Sequence, residues 1–307
     1  MTKKLVLVLL ICSAALFSYN LYAQEVQIDS ARHELPHHII RLPNVHPGRE
    51  ATYKYAKQLL HLALEVTKQK YGTFEVVSTQ LETVQERQLR NLDNQFLDVT
   101  WSVTSLEREE QFLPIRIPIM AGLFGQRALL VRHEEIRLKD IQSSTDLTSF
   151  RAVFGHDWPD KKIFEANGIP VLETSYRASF RVVSEGFADM FPRSVMEISE
   201  ELEQKAFIRG LEIEPHIIIS YPSPIFFFVG NHNTKLAERI TKGLTMLLET
   251  GQMQALLRQQ DGFKKGLSLI QNRKIIELNN PYLSPESRQA LNQFIKTFSV
   301  STDSPLP

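Results

Sequence analysis

The sequence predicts an α/β protein made of two αβ lobes that are joined by a hinge. Segments with strand character alternate with segments of helical periodicity, which is typical of a parallel sheet covered by helices. The alternation is interrupted between residues 114 and 132 and then resumes, which indicates two sheets rather than one. The second set of elements is therefore expected to be a lobe inserted into the first.

The first set has the order β-α-β-α-β. Its first helix, 50–69, carries a helical apolar stripe at Tyr55, Leu59, Leu62 and Val66. A second helix is expected at 82–93, and three strands are expected at 38–43, 73–78 and 96–103. In such sheets ligands bind beyond the carboxyl ends of the strands, which places a candidate site just after residue 103.

The second set begins after a crossover strand at 127–132. Its strands are expected at 151–155, 171–174 and 189–191, and its helices at 160–167, 178–186 and 197–205. Strands 214–220 and 225–229 then return to the first lobe, where an amphipathic helix is expected at 233–250, ended by Gly251.

The predicted division follows from this order. Two connections between the lobes would form a hinge that closes on a ligand. The expected boundaries are 1–23 for a leader, 24–133 for the first part of lobe 1, 134–222 for the inserted lobe 2, 223–270 for the return of lobe 1 and 271–307 for a C-terminal extension.

Residues 1–23 have the features of a cleavable secretory signal peptide. Lys3 and Lys4 precede the apolar stretch Leu5–Phe17, which is shorter than the about 20 residues that a membrane helix needs. The chain's one cysteine, Cys12, follows the bulky Ile11, which argues against lipidation. We therefore expect a periplasmic protein that is not lipidated and has no disulfide.

The charge balance excludes some classes of partner. The chain has 35 basic and 35 acidic residues, and removing Lys3 and Lys4 leaves 33 against 35, a formal charge of −2. A nearly neutral protein has no electrostatic footprint for nucleic acid or an anionic membrane surface. Any site for an anion must be local.

The run Asp98–Glu110 offers such a local site. Ser102, Thr104 and Ser105 place hydroxyls at the end of a strand, beside Trp101, and Arg108 follows at the start of a helix. A guanidinium with hydroxyls and free N–H groups suits a carboxylate. The alternative is a solvated Arg108 that pairs with the neighbouring acids, Glu107, Glu109 and Glu110.

Two further candidates lie in lobe 2. Gly155, His156, Asp157 and Trp158 enter a helix, where they could contact an anion or simply cap and pack. Arg193 ends a short strand and could face the cleft, or form a salt bridge with Glu197 one turn on.

Other chemistry is not indicated by the sequence. The N-terminal histidines fit no zinc spacing, and no nucleophile, metallohydrolase or phosphate-loop motif is present, so we expect no metal, no cofactor and no enzymatic activity. The run Phe226–Phe228 is interpreted as a buried strand.

Several of these runs, in their order over residues 38 to 260, resemble the family 3 extracellular solute-binding proteins of amino-acid ABC importers. They are Thr104–Arg108, Arg127–Arg132, Asp140-Ile141 and Ser184–Asp189. The resemblance implies the type 2 periplasmic-binding fold, with Arg108 on a ligand α-carboxylate and residues 155–158 opposite.

The chain departs from the family pattern at the site. Trp101 and Val103 replace residues that are usually small, and Gly186-Phe-Ala-Asp189 replaces Gly-Arg-x-Asp. A divergent member is therefore expected.

The resemblance implies a monomeric solute-binding protein that closes on a small anionic or zwitterionic, amino-acid-like ligand for a transporter or sensor. Two alternatives remain: an enzyme on the same scaffold, and an envelope interaction module that uses the extension at 273–282. The plainer interpretation of that extension is a structural segment that packs on lobe 1.

Overall fold

The computed structural model describes residues 35–44, 50–80, 83–133, 135–203 and 210–300; the expected signal peptide and Cys12 lie outside them. The strands are β1 His38–Leu42, β2 Phe74–Ser78, β3 Thr100–Val103, β4 Leu113–Ile115, β5 Gln126–Arg132, β6 Ala152–Gly155, β7 Val171–Thr174, β8 Phe191–Ser194, β9 Leu211–Ile213, β10 Ile217–Ser220, β11 Ile225–Val229 and β12 Lys274–Glu277.

Eleven α-helices lie within the same residues. They are α1 Glu50–Val66, α2 Lys68–Tyr71, α3 Gln85–Asp93, α4 Leu106–Gln111, α5 Asp160–Ala166, α6 Tyr176–Ser184, α7 Ile198–Glu203, α8 Thr234–Glu249, α9 Gln252–Arg258, α10 Asp261–Ile270 and α11 Pro285–Val300. Short 3-10 helices occur at Leu123–Gly125, Arg137–Asp140 and Ser144–Ser149.

The first lobe is built on strands β1 to β4 and β11. β1 pairs with β2 in parallel, and β11 lies antiparallel between β3 and β4. The N–H groups of Asp98 and Val99 donate to the carbonyl of Arg41, which joins β1 to the segment leading into β3. These hydrogen bonds place β1 beside the segment that enters β3.

Helices α1 and α8 cover this sheet as a tightly packed pair. A Cβ atom at Gly243 of α8 would lie 2.1 Å from the backbone oxygen of Ala63 in α1, so only glycine allows this approach. Tyr55 of the predicted stripe is buried, and its hydroxyl donates to the Ile119 carbonyl over 2.6 Å.

The second lobe is centred on β5. This strand pairs antiparallel with β8, β9 and β10, and β10 pairs in parallel with β12. β6 and β7 form a parallel pair, and the Val153 N–H donates to the Met190 carbonyl just before β8. The order of helices and strands confirms the predicted α/β fold with two lobes.

The lobe boundaries differ from the predicted ones at two places. The predicted boundary at residue 133 assigns β5 to lobe 1, whereas its backbone pairs with strands of the second sheet. The change of lobe precedes β5, in residues 116–125, where Gly122 has a φ of 76°. β12, within the predicted C-terminal extension, also belongs to the second sheet.

The C-terminal residues form a third link between the lobes. From β12 the chain passes through residues 278–287, which we call the strap, into α11. Leu291, Phe294 and Phe298 of α11 are buried, and Phe294 and Phe298 belong to the main core. The strap contacts lobe 2 as well as lobe 1, whereas the extension was expected to pack on lobe 1.

Candidate functional site

A cavity of about 680 Å³ lies between the lobes. Residues from both lobes line it, which makes it an inter-lobe cleft. The lining includes Thr52, Tyr53, Gln85, Glu86, Gln88, Trp101 and Ser102 from lobe 1, Phe124 from the hinge, and Gly155, His156, Asp157, Trp158, Ser175, Tyr176, Arg177 and Glu197 from lobe 2.

Aromatic rings form much of the wall. Tyr53 of α1 and Trp101 of β3 lie with their centroids 5.4 Å apart and tilted by 53°. Trp158 and Tyr176 stand on the lobe 2 side, 6.4 Å apart. Among the predicted site residues, Trp101, Ser102, Gly155, His156, Asp157 and Trp158 lie in this lining.

Arg108 is buried, with 9% of its surface exposed, and is not in the lining. Its Nη1 donates to the Ser102 hydroxyl and the Val103 carbonyl, each over 2.7 Å. Its Nη2 donates to the Asp157 carbonyl over 3.2 Å and to Gln85 Oε1 over 3.5 Å. Because Asp157 belongs to lobe 2, Arg108 joins the two lobes directly.

The pKa of Arg108 is lowered by burial, an effect that the nearby charges of Asp157 and Asp160 partly offset. The pKa of a free arginine lies far above neutrality, so Arg108 remains a cation. A cation at this depth needs acceptors, and the carbonyls of Val103 and Asp157 supply two of them.

The N-terminus of α4 is occupied by the protein's own acceptors. Ser105 caps the helix by accepting the Arg108 N–H over 3.3 Å. The Thr104 N–H donates to the Pro224 carbonyl over 3.1 Å, and the Leu106 N–H to the Tyr282 carbonyl of the strap over 2.8 Å. The donors expected to receive a ligand carboxylate are thus engaged, and neither Thr104 nor Ser105 lines the cleft.

The loop 155–158 faces Arg108 from lobe 2. The Asp157 carboxylate accepts the N–H of Glu86, at the start of α3, over 3.4 Å. His156 is largely exposed, with Nδ1 3.8 Å from a carboxylate oxygen of Glu173. At Gly155 a Cβ atom would lie 2.7 Å from the indole nitrogen of Trp158, so the loop packs its own tryptophan closely.

Arg193 is fully buried and makes the salt bridge that the sequence offered as the alternative to ligand contact. Its Nη2 lies 3.0 Å from Glu197, and its Nε donates to both carboxylate oxygens of Glu201 over 2.9 and 2.8 Å. Its guanidinium lies 4.6 Å from the Trp158 ring centroid. Arg193 therefore supports the wall of the cleft from behind.

Burial opposes the charge of Arg193, but the carboxylates of Glu201 and Glu197 outweigh it and raise the pKa of this guanidinium. Burial, together with the charge of Glu201, also raises the pKa of the Tyr176 hydroxyl, which donates to Glu201 over 3.0 Å. Tyr176 therefore stays neutral and its ring is held in place.

Sequence reasoning missed Tyr53, Gln85, Tyr176 and Glu197 as lining residues. Tyr53 adjoins the apolar stripe of α1 without belonging to it. Glu197 was noted as a partner for Arg193, and its position three residues beyond the end of β8 was a signal for the cleft edge.

No protein-family model matches the chain, and no curated protein sequence does either. Solved structures are similar in fold. An ancestral arginine-binding protein bound to arginine superposes with a TM-score of 0.54 at 15% identity, covering 73% of this chain and 98% of that one. A putative L-cystine ABC transporter from Listeria monocytogenes gives 0.52 at 16%, covering 74% and 97%.

A histidine kinase sensor domain described as similar to periplasmic binding proteins gives 0.52 at 17% identity, covering 75% of this chain and 98% of that one. At these identities the likeness shows the fold alone. The chain has the two-lobed fold of the type 2 periplasmic-binding proteins, which is the fold that the sequence resemblance implied.

The described residues contain neither a candidate metal site nor a candidate membrane-spanning helix. No group of three or more His, Cys, Asp and Glu side chains there could hold a metal ion. None of the helices in that part of the chain is long and apolar enough to cross a membrane.

Proposed function

We propose that this protein is an extracytoplasmic solute-binding protein that closes its two lobes on a small, amino-acid-like ligand and presents the closed form to a transporter or a sensor. The observation that carries the proposal is the inter-lobe cleft. Its volume of about 680 Å³ lies in the range of small-molecule sites, and side chains of both lobes line it. A ligand that touches both lobes can drive their closure.

The location depends on the predicted signal peptide, residues 1–23. The neighbouring structures support both partners, since one is described as an ABC transporter protein and another as a histidine kinase sensor domain. The choice between transporter and sensor is left to experiment.

Binding is proposed over catalysis because the two serine hydroxyls of the cleft lining are used in the fold. The Ser102 hydroxyl donates to Gln85 and accepts from Arg108, and the Ser175 hydroxyl accepts the Ala178 N–H. For either serine to act as a nucleophile, its hydroxyl would need a hydrogen bond to a general base in place of these partners.

The ligand class is the finer part of the proposal. A zwitterion of amino-acid type was expected to place its carboxylate on Arg108. In the structure, Arg108 donates a hydrogen bond to the Asp157 carbonyl. To bind a ligand carboxylate, Arg108 must give up this hydrogen bond, and opening of the lobes would allow that.

A ligand screen tests the proposed function. The chain is unfolded and refolded to remove bound ligand, then tested by thermal shift with amino acids, short peptides, amines, organic acids and sugars. Stabilisation by any of them, confirmed by calorimetry with one site per chain, is the expected result. A folded protein that responds to none would count against solute binding.

A further inference from the structure

We propose that the ligand is recognised through a positively charged group, held between the Tyr53–Trp101 pair of lobe 1 and the Asp157 carboxylate of lobe 2, without need of a ligand carboxylate. This inference rests on the proposed function and adds the chemistry of recognition.

The two buried arginines beside the cleft are already used. Both terminal nitrogens of Arg108 donate to protein acceptors, the Asp157 carbonyl among them. Arg193 lies behind Trp158 and is bound by two carboxylates, Glu197 and Glu201. A ligand carboxylate at either arginine would have to displace existing hydrogen bonds. Arg177, the arginine in the lining, is exposed to solvent, where an ion pair contributes little.

The lining itself is acidic. It contains the carboxylates of Glu86, Asp157 and Glu197 and the guanidinium of Arg177. Because Glu197 is paired with the buried Arg193, Glu86 and Asp157 remain against Arg177, a formal −1 with His156 neutral. An anionic ligand would meet like charges in this partly desolvated cleft, and a cation would be attracted.

Asp157 is the carboxylate best placed to bind such a cation. It is half-buried, and within the described residues its carboxylate makes one long hydrogen bond, 3.4 Å from the Glu86 N–H. Glu86 itself pairs at 3.4 Å with Arg90 and is largely exposed. The Asp157 oxygens therefore keep capacity for charge-assisted hydrogen bonds from a ligand.

The aromatic pair on the opposite lobe provides the second half of the site. Tyr53 and Trp101 are half-buried, and the Tyr53 hydroxyl is fixed by a 2.6 Å hydrogen bond with Ser78. Ring faces attract cations, most strongly in the case of tryptophan. On lobe 2, the Trp158 ring already contacts a cation, the guanidinium of Arg193. We therefore assign the Tyr53–Trp101 pair of lobe 1 to the cation of the ligand.

The test compares ligands that differ in a carboxylate. Refolded full-length mature protein is titrated calorimetrically with arginine and agmatine, with lysine and cadaverine, with choline, and with glutamate, succinate and glucose. We expect agmatine or cadaverine to bind at least as tightly as the parent amino acid, and glutamate and succinate not to bind. Asp157→Asn should weaken cation binding by about tenfold, because it removes a charged acceptor.

Glu75→Gln is the matched control, since it removes one negative charge at an exposed position on β2, outside the cleft lining. It should leave affinity within about twofold, as expected for a screened surface charge. If both variants weaken cation binding equally, the effect comes from net charge alone, and the assignment of Asp157 is wrong.

The outcomes separate this inference from the proposed function. Binding of glutamate, succinate or glucose without binding of any cation would refute the cation and leave solute binding intact. Affinity that requires the carboxylate of arginine or lysine would also refute it. If none of these compounds binds, the result counts against both the cation inference and the proposed solute binding.

Discussion

Arg108 is an anchor between the lobes in the closed structure. Four acceptors surround its terminal nitrogens, and the Asp157 carbonyl on the opposite lobe is one of them. Removing such a cation strands buried acceptors, which is costlier than losing the hydrogen bonds alone.

We therefore expect Arg108→Ala to lower the free energy of unfolding by about 2–4 kcal/mol, measured by urea denaturation at pH 7. Arg87→Ala serves as the control, because Arg87 is exposed on α3 and its loss should cost less than about 0.5 kcal/mol. Similar, small losses for both variants would show that Arg108 does not hold the lobes.

Arg193 gives a prediction about a buried ion pair. Arg193→Met leaves the buried carboxylates of Glu197 and Glu201 without their cation, which should destabilise the protein by about 3–5 kcal/mol at pH 7.

Urea denaturation of the variant and the wild type at pH 7 measures this deficit. A deficit below about 1 kcal/mol would show that the two carboxylates do not depend on Arg193.

At the scale of elements, the strap is held to lobe 1 by Glu109 of α4. The hydroxyls of Ser284 and Ser287 donate to this carboxylate over 2.8 and 2.7 Å, and Arg116 pairs with it at 2.8 Å. Burial opposes its ionisation, but the hydrogen bonds from Thr104, Ser287, Ser284 and Arg116 outweigh burial and lower the pKa of Glu109.

A carboxyl with a depressed folded pKa stabilises the protein above its unfolded pKa of about 4.3, and that stability is lost as the pH falls through the folded value. Glu109→Gln should therefore cost about 1–2 kcal/mol at pH 7 and progressively less below pH of about 4. Chemical unfolding of both proteins from pH 3 to 7 measures this, with the exposed neighbour variant Glu110→Gln as control.

The sequence predicted most elements between residues 38 and 250, because helices such as α1 and α8 bury a regular stripe and strands such as β11 are continuously apolar. It did not predict β9 and β12. β12 buries one residue, Ile276, and its register is set by backbone pairing with β10. Helix α11 was missed although Leu291, Phe294 and Phe298 follow a helical spacing.

Part of the candidate site was also predictable from the pattern of helices and strands. Strand ends and helix entries placed Trp101, Ser102 and the loop 155–158 in the cleft lining. The partners of α4 and Arg108 were not predictable, since the acceptors in question are the backbone carbonyls of Tyr282 and Asp157, and any residue type supplies a carbonyl.

At the scale of the whole molecule, the strap changes how the two lobes can move. A hinge of two connections was expected, and the structure places these connections in residues 116–125 and 221–224, between strands of the two lobes. The strap adds a third connection between the lobes. Asn279 exchanges hydrogen bonds of 2.8 and 3.0 Å with Asn167 of lobe 2. The Tyr282 carbonyl and the Ser284 hydroxyl bind α4 of lobe 1. Opening the cleft must therefore break or bend this connection.

We expect the double variant Ser284→Ala/Ser287→Ala to open more readily than the wild type, because it frees the strap from Glu109 and leaves Asn279 on lobe 2. Small-angle X-ray scattering without ligand should give a larger radius of gyration for the variant, and ligand association should be faster since opening is less costly. Ser184→Ala, an exposed site on α6, is the control. An unchanged radius with unchanged association would mean that the hinge, and not the strap, determines how readily the lobes open.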